Sequence, residues 1–319
     1  MIKKTALNHT TYPVNRAEKD NWVITRRVFL KSSALALGGF CLHPFLANAG
    51  KGAMIRFGVV TDSHYAEIEP SNTRYYRESL SKMTECVDLM NDKKVDLLIH
   101  LGDLINGAPS NNREHLQKVE SILSRYQGPR YHVLGNHDMD KISKSQFLEE
   151  ITNTGVDKNA NYYSFDHKEV HFINLDSNYI KDGTHYDSGN HHWTDANIPD
   201  DQLRWLENDL NSTSKNVIVC NHQLLDLEGD YSVNNAAEVR SILEQNSKVL
   251  AVFQGHKHTG QYNIVNGIHY YTLKGMVEGS GEENNSYAIV EVFDDASMVI
   301  TGYRKSVSKK FGKVPENEK

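Results

Sequence analysis

The chain has 319 residues, a formal charge of −6, 39% hydrophobic residues and 24% charged ones. That length is enough for one large domain or two small ones with a substantial core, and the composition is that of an ordinary soluble globular protein. The acidic balance argues against a general binder of duplex DNA, because contact with many phosphates needs a basic face. A local basic pocket for a small anionic substrate stays compatible with it.

Seven Lys or Arg and only two Asp or Glu precede Gly50, so loss of that segment takes the charge from −6 to −11. Thr25-Arg26-Arg27-Val28-Phe29-Leu30-Lys31, the modestly apolar stretch 32–46 and the small residues Ala47-Asn48-Ala49 are similar to a twin-arginine export signal and its cleavage site. Residues 1–49 are therefore expected to be read by the Tat export machinery and removed, leaving 50–319 as a single domain. The expected destination lies across the inner membrane, periplasmic or secreted. Eighteen residues separate Lys31 from Gly50 and His43-Pro44 interrupts them, so no stable membrane anchor is expected. Cys41 falls in the leader, and Cys86 and Cys220 show no pairing pattern and read as buried thiols.

Residues 54–60 form a mostly apolar run, as a strand buried on both faces would, and Asp62-Ser63-His64 follows it. Helical spacing over about 73–92 aligns Leu80, Met83, Val87 and Met90 on one face. The apolar run 95–101 then ends in Gly102-Asp103. A second helix, about 113–126, carries Leu116, Val119, Ile122 and Leu123 and stops at Gly128-Pro129. The run 131–134 ends in Gly135-Asn136-His137-Asp138. This β-α-β-α-β order predicts parallel strands joined by crossovers.

Residues 162–165 and 170–175 suggest a hairpin. The polar connection 178–199, with His185, His191, His192 and Trp193, reads equally as a cap over a substrate or as a solvated loop. A helix over 200–210 points Leu203, Leu206 and Leu210 inward. The theme then repeats: strand 216–220 ended by Asn221-His222, helix about 236–245, and strand 249–254 followed by Gly255-His256-Lys257-His258. Short strands are expected at 261–265, 268–272, 286–292 and 297–303, the first two joined by the hairpin turn Asn266-Gly267. The polar tail after Ser306 is expected to fray. Two stacked mixed sheets flanked by helices account for both patterns.

Five apolar runs thus end in five polar clusters. In an open α/β sheet, ligands gather beyond the carboxyl ends of the strands, so residues far apart in sequence can share one site. Asp62, His64, Asp103, Asn136, His222, His256 and His258 supply seven oxygen and nitrogen donors without a cysteine. Such a set points away from a structural zinc cage and toward two divalent cations, manganese, iron or zinc. A cation pair grips both sides of a phosphate and lowers the pKa of a bridging water. Taken singly, each of these residues reads as an ordinary polar loop residue, and the weight lies in the ordered set.

That set, Asp-x-His, Gly-Asp, Gly-Asn-His-Asp, a lone His and Gly-His-x-His, resembles the calcineurin-like metallophosphoesterases. The resemblance implies their α/β fold, a four-layer α/β/β/α sandwich of two mixed β-sheets flanked by helices. It also implies that Asp62, His64, Asp103 and His258 hold one cation, with Asp103 bridging to a second completed by Asn136, His222 and His256. His137 would contact the phosphate and protonate the leaving oxygen, with Asp138 orienting it or tuning its charge.

The segments Thr73-Arg74-Tyr75-Tyr76-Arg77-Glu78-Ser79-Leu80, Gly102-Asp103-Leu104-Ile105-Asn106-Gly107 and Leu273-Lys274-Gly275-Met276-Val277-Glu278 are similar to the manganese-dependent ADP-ribose/CDP-alcohol diphosphatases. This likeness implies attack of a metal-bridging hydroxide on a phosphoanhydride or phosphoester of a small nucleotide-type molecule. Those enzymes have Gln in the first motif where this chain has His64, which returns it to the broader pattern. Arg74 and Arg77 are candidates to bind a distal phosphate through the guanidinium fork. Their plain alternative is a salt-bridged pair on an exposed helix face. Purple acid phosphatases carry a metal-bound Tyr shortly after Gly-Asp; Leu104-Ile105-Asn106 stands here, so charge-transfer colour is not expected. Two other functions stay open. One is an exported phosphomonoesterase or phosphodiesterase that scavenges phosphate. The other is a non-catalytic scaffold, like the retromer subunit of this architecture, although a scaffold implies lost ligands and none is lost.

Overall fold

The computed structural model describes residues 52–312; the expected export signal and the last residues of the tail lie outside them. Strands β1 (Ile55–Val60), β2 (Leu97–His100) and β3 (Arg130–His132) pair in parallel, as the alternation of apolar runs and amphipathic segments predicts. Strands β4 (Tyr163–His167) and β5 (Val170–Asn174) form the expected hairpin. From β5 the chain continues in parallel through β6 (Asn216–Asn221) and β7 (Val249–Gln254). Strands β8 (Thr259–Val265) and β9 (Ile268–Lys274) fold back on each other at Asn266-Gly267, both at positive φ, and β9 adds in parallel to β7. The antiparallel strands β10 (Ser286–Val292), β11 (Met298–Arg304) and β12 (Lys309–Phe311) return to the other edge of β1. Two six-stranded mixed sheets result, in the orders β12-β11-β10-β1-β2-β3 and β4-β5-β6-β7-β9-β8.

Alternation along the strands sorts side chains into layers. Phe57 and Val59 of β1 face the second sheet, where Phe57 meets Phe172 and Phe253 edge-on at 5.3 and 5.7 Å. Val60 faces outward against helices α1 (Ser79–Lys93), α2 (Asn112–Leu123) and α3 (Lys144–Glu150). On the far side, α4 (Asp200–Ser212) and α5 (Ala236–Glu244) bury Leu206, Leu210, Val239 and Leu243 against Val217, Val219 and Val252. The four layers expected from the resemblance are thus present. Each large apolar side chain so buried contributes about 1.5–3 kcal/mol.

Three local expectations are corrected. The first helix begins at Ser79 rather than near Thr73, because 73–79 pairs with another loop: Tyr75 N donates to Val277 O (3.0 Å) and Gly279 N to Thr73 O (2.7 Å). Helix α3 was not expected from periodicity, being only two turns long, although its Ser143/Gln146 capping box is readable. The tail does not fray at once after Ser306. Phe311 is buried and stacks on Tyr262 and His269, which holds β12 in the sheet. Cys86 and Cys220 are buried free thiols, as expected.

Candidate metal centre

Each parallel strand releases its polar cluster at its carboxyl end, and the clusters converge. Asp62, His64, Asp103 and His256 lie at φ of 53°, 44°, 56° and 66°, a region costly for side chains other than glycine and concentrated at functional turns. Backbone contacts lock these turns together. Asp62 N donates to Gly102 O (3.0 Å), His64 N to Asp103 O (2.9 Å) and Gly255 N to His222 O (3.1 Å). A Cβ on Gly135 would fall 2.1 Å from Asp103 N, and one on Gly255 2.1 Å from Thr61 Oγ1. Both glycines are therefore required by close approach of one loop to the next.

Asp62, Asp103, His222 and His258 each have one side-chain atom held from outside the ring and the other turned inward. Asp62 Oδ2 accepts from Thr61 Oγ1 (2.8 Å) and His256 N (3.1 Å), and Asp103 Oδ1 accepts from His137 N (2.8 Å). His222 Nδ1 bonds Leu101 O (2.7 Å) and His258 Nδ1 bonds Glu278 Oε1 (2.6 Å), so each Nε2 is left to point inward. Asp62 Oδ1, Asp103 Oδ2, both amide atoms of Asn136, and Nε2 of His222 and His256 are buried with no hydrogen-bond partner in the protein. His64 Nε2 lies 3.1 Å from His258 Nε2 and 3.4 Å from Asp103 Oδ2. Asp62 Oδ1 is 3.2 Å from His258 Nε2, and Asp103 Oδ2 is 3.1 Å from His222 Nε2.

Buried polar atoms are nearly always satisfied, so an inward ring of orphaned oxygens and nitrogens fits bound cations. The donors fall into Asp62, His64, His258 on one side and Asp103, His222, His256 on the other, with His64, Asp103 and His137 between them. The electrostatics agree. Burial opposes charge on both carboxyls, yet the surrounding imidazoles hold Asp62 and Asp103 well below the usual carboxylate range. Burial also works against charge on His222 and His258, but Asp103 raises the first to about 9, and Asp62 with Glu278 raises the second to about 9. Burial prevails at His64 and His256, pushed down to about 4 and about 3. The centre attracts positive charge while keeping part of its donor set neutral.

His137 stands at the edge of this ring, 4.8 Å from His64 ring to ring. Its orienting carboxylate is Asp140 and not Asp138: His137 Nδ1 lies 2.7 Å from Asp140 Oδ2. The reason is the 3-10 turn His137–Met139, which sets residue i+3 beside His137 and turns i+1 into the interior. Asp138 is buried there and accepts from the amides of Asp103, Leu104, Ile105 and Gly135 at 2.8–3.1 Å. Burial and the Asp103 charge push its carboxyl up to about 8 against the pull of those amides. Asp138 clamps the Gly102-Asp103 loop to the Asn136 loop.

The two arginines part company. Arg74 lines a cavity of about 490 Å³ with Tyr76, Tyr231, His256, Lys257 and His258, its Nε 3.8 Å from Glu278 Oε1. Arg77 instead pairs at the surface with Glu69 (2.8 Å) and Glu67 (3.5 Å) and is not in that lining, which is the plain alternative for this residue. Of the connection 178–199, Trp193 reaches the centre, its ring 5.6 Å from that of His256 and 5.4 Å from that of Tyr231. His191 stacks on Tyr186, with Nε2 3.7 Å from Asp140 Oδ1. His185 packs on Tyr179 and His192 bonds Thr194. Sequence reasoning thus missed Asp140, Glu278 and Tyr231 as site residues. Asp140 was signalled by its i+3 spacing from His137, and Glu278 lay unassigned in a diphosphatase-like segment, whereas nothing local marks Tyr231.

Two mixed sheets in four layers, with a nitrogen and oxygen donor ring at the carboxyl ends of their strands, define a metal-dependent phosphohydrolase. The chain belongs to the calcineurin-like phosphoesterase family, whose model matches residues 55–260. It is 26% identical over 302 residues to a manganese-dependent ADP-ribose/CDP-alcohol diphosphatase of Oryza sativa subsp. japonica, covering 77% of this chain and 91% of that one. It is 24% identical over 309 residues to the protein of the same name from Arabidopsis thaliana, covering 80% and 96%. Among solved structures, a dimetal phosphatase from Danio rerio superposes with a TM-score of 0.72 at 20% identity, over 82% of this chain and 100% of that one.

Proposed function

We propose that the protein hydrolyses a phosphoanhydride in a small nucleotide-type diphosphate, of the ADP-ribose or CDP-alcohol kind, using two divalent cations with manganese as the first candidate. Asp62, His64, Asp103 and His258 would hold one cation, and Asp103, Asn136, His222 and His256 the other. The observation that carries this reading is the buried ring of unpartnered donor atoms around Asp62 Oδ1 and Asp103 Oδ2. The substrate class draws on the names of the rice and Arabidopsis relatives. Divalent cations bound in such a ring supply Lewis acidity toward a phosphoryl group and acidify water.

The chain's own residues supply the rest. Thr61 and the His137 amide fix the carboxylates, and Leu101 O and Glu278 fix the imidazole tautomers. His137, held at Nδ1 by Asp140, is left with Nε2 to protonate the leaving oxygen. Arg74 would bind phosphate charge in the adjoining cavity. The rings of Trp193 and Tyr231 offer apolar faces to a base.

A panel of ADP-ribose, CDP-choline, a cyclic nucleotide and p-nitrophenyl phosphate, assayed with manganese, tests the proposal. Release of a nucleoside monophosphate and a second phosphate ester from the first two is the expected result. No turnover of either diphosphate by fully metal-loaded protein would contradict it. His64, standing where the diphosphatase pattern has Gln, favours a second reading as a phosphomonoesterase or phosphodiesterase, for which free phosphate or cyclic-nucleotide opening would be the signature. For the leader, the proposal is twin-arginine export. Replacing Arg26 and Arg27 together by Lys should retain the protein in the cytoplasm, and undiminished export would refute that route.

A further inference from the structure

The donor ring is flanked by two walls of different chemistry. Beside His256 stand the aromatic rings of Trp193 and Tyr231. Beyond His258 opens a second cavity of about 610 Å³, walled by Thr73, Tyr75, Lys274, Ser280, Asn284 and Lys305. It adjoins the cavity at Arg74: Asn72, Thr73, His258, Thr259 and Glu278 line both. Lys274 and Lys305 are its cations and Glu278 its single acid. That acid is already engaged, with Oε1 2.6 Å from His258 Nδ1. The lining therefore sets two ammonium groups against one carboxylate, among hydroxyl and amide groups.

Its wall is held in place before any ligand arrives. The ammonium of Lys82, itself buried, donates to Met276 O (3.0 Å), Glu278 O (3.2 Å) and Gly279 O (2.6 Å). Glu78 accepts from Ser280 Oγ (3.0 Å) and Gly281 N (2.6 Å), and Asn284 Nδ2 donates to Ser280 O (2.6 Å). A preformed cavity of this kind spares a ligand the cost of ordering its own site.

We propose that this cavity is a subsite for an anionic distal group of the diphosphate substrate, and that Lys274 and Lys305 select against diphosphates ending in a quaternary ammonium. The inference rests on the hydrolase reading above. A choline-type head would bring a third cation beside two lysines that face one carboxylate, itself turned to His258. A phosphate or carboxylate there gains charge-assisted hydrogen bonds. The lysine ammonium, a point charge on a flexible stem, can follow distal groups of different reach.

Calorimetric titration of the manganese-loaded protein decides the matter without turnover. The probes are an alkyl monophosphate and alkanediol bisphosphates of graded length, of which only the latter present a second anion. The best bisphosphate should bind roughly tenfold tighter than the monophosphate, and in the double variant Lys274→Ala/Lys305→Ala that ratio should fall to near one. Equal affinities in the wild type, or a ratio that survives the double substitution, overturns the subsite. Kinetics supply a second arm, in which the wild type should prefer CDP-glycerol to CDP-choline through KM and the double variant should lose that preference. If neither is hydrolysed, the hydrolase reading fails while calorimetry still judges the subsite. If both are hydrolysed with a ratio indifferent to the lysines, the hydrolase reading stands and the subsite is wrong.

Discussion

The floor of the site and its rim are built on opposite principles. On the floor, Asp62, His64, Asp103 and His222 are fully buried and each is held on one side by backbone or by a neighbouring side chain. Along the rim, Tyr231 is 45% exposed, the Arg74 guanidinium makes a long contact of 3.8 Å to Glu278, and Lys305 follows the end of a strand. Burying carboxylates and imidazoles costs desolvation that bound cations offset, so the floor tolerates little change in residue type. The rim incurs no such cost. Its residues can set which phosphate compound binds without disturbing how the phosphorus is handled.

Substitutions that break this contrast should be ordered by how deep they reach. Asp103→Asn, which alters the oxygen proposed to bridge the two cations, should release at least one of them and lower kcat/KM on the order of 10³-fold. Elemental analysis with steady-state kinetics checks both, and full metal content with near-normal turnover would dissolve the distinction between floor and rim. His137→Ala should reduce kcat by roughly 10²-fold or more with both cations retained. Asp140→Asn should reproduce part of that loss with both cations retained, whereas Asp138→Asn, whose NH2 would face backbone N–H donors, should loosen the Asp103 loop and lower metal content instead. Glu278→Gln should weaken manganese affinity about 10-fold to 100-fold by loosening His258, measurable by titration with a metal indicator. Trp193→Ala belongs to the rim and should raise KM about tenfold for base-bearing substrates while sparing small alkyl phosphates.

The smallest effect lies outside the site altogether. Burial lowers His171, but Asp209 and Asp166, each 2.7 Å from one ring nitrogen, raise it above its ordinary value of 6.5. Its folded value therefore exceeds the unfolded one. The stabilisation is full below the unfolded value and is lost as pH rises through the folded value. Urea unfolding should find His171→Gln more destabilising at about pH 5.5 than at about pH 9, with turnover untouched. A destabilisation that grew with pH would reverse the assigned sign.

The floor was far more legible in the sequence than the rim, and the difference is physical. Strands β1, β2, β6 and β7, and the run 131–134 that overlaps β3, lead into clusters of Asp, His or Asn, so both the parallel pairing and the donor set follow from where hydrophobicity ends. A parallel sheet gathers those ends on one side, whatever the loops do. Rim residues depend on loop paths that no periodicity encodes. Arg74 and Arg77 look alike on a helical wheel, yet the bridges from Thr73 and Tyr75 to 277–279 interrupt the helix and separate them. The exchange of Asp138 for Asp140 has the same origin, because a single 3-10 turn decides which carboxylate meets His137. Trp193 and Tyr231 come from connections before α4 and α5 and meet only at His256.

The central claim, that one ring of side chains holds two cations with Asp103 between them, is tested most directly by anomalous diffraction from crystals soaked in manganese. The account predicts two strong peaks inside the ring, one beside Asp62, His64 and His258, the other beside Asn136, His222 and His256, both within bonding distance of Asp103. A single peak, or peaks only outside the ring, would contradict it.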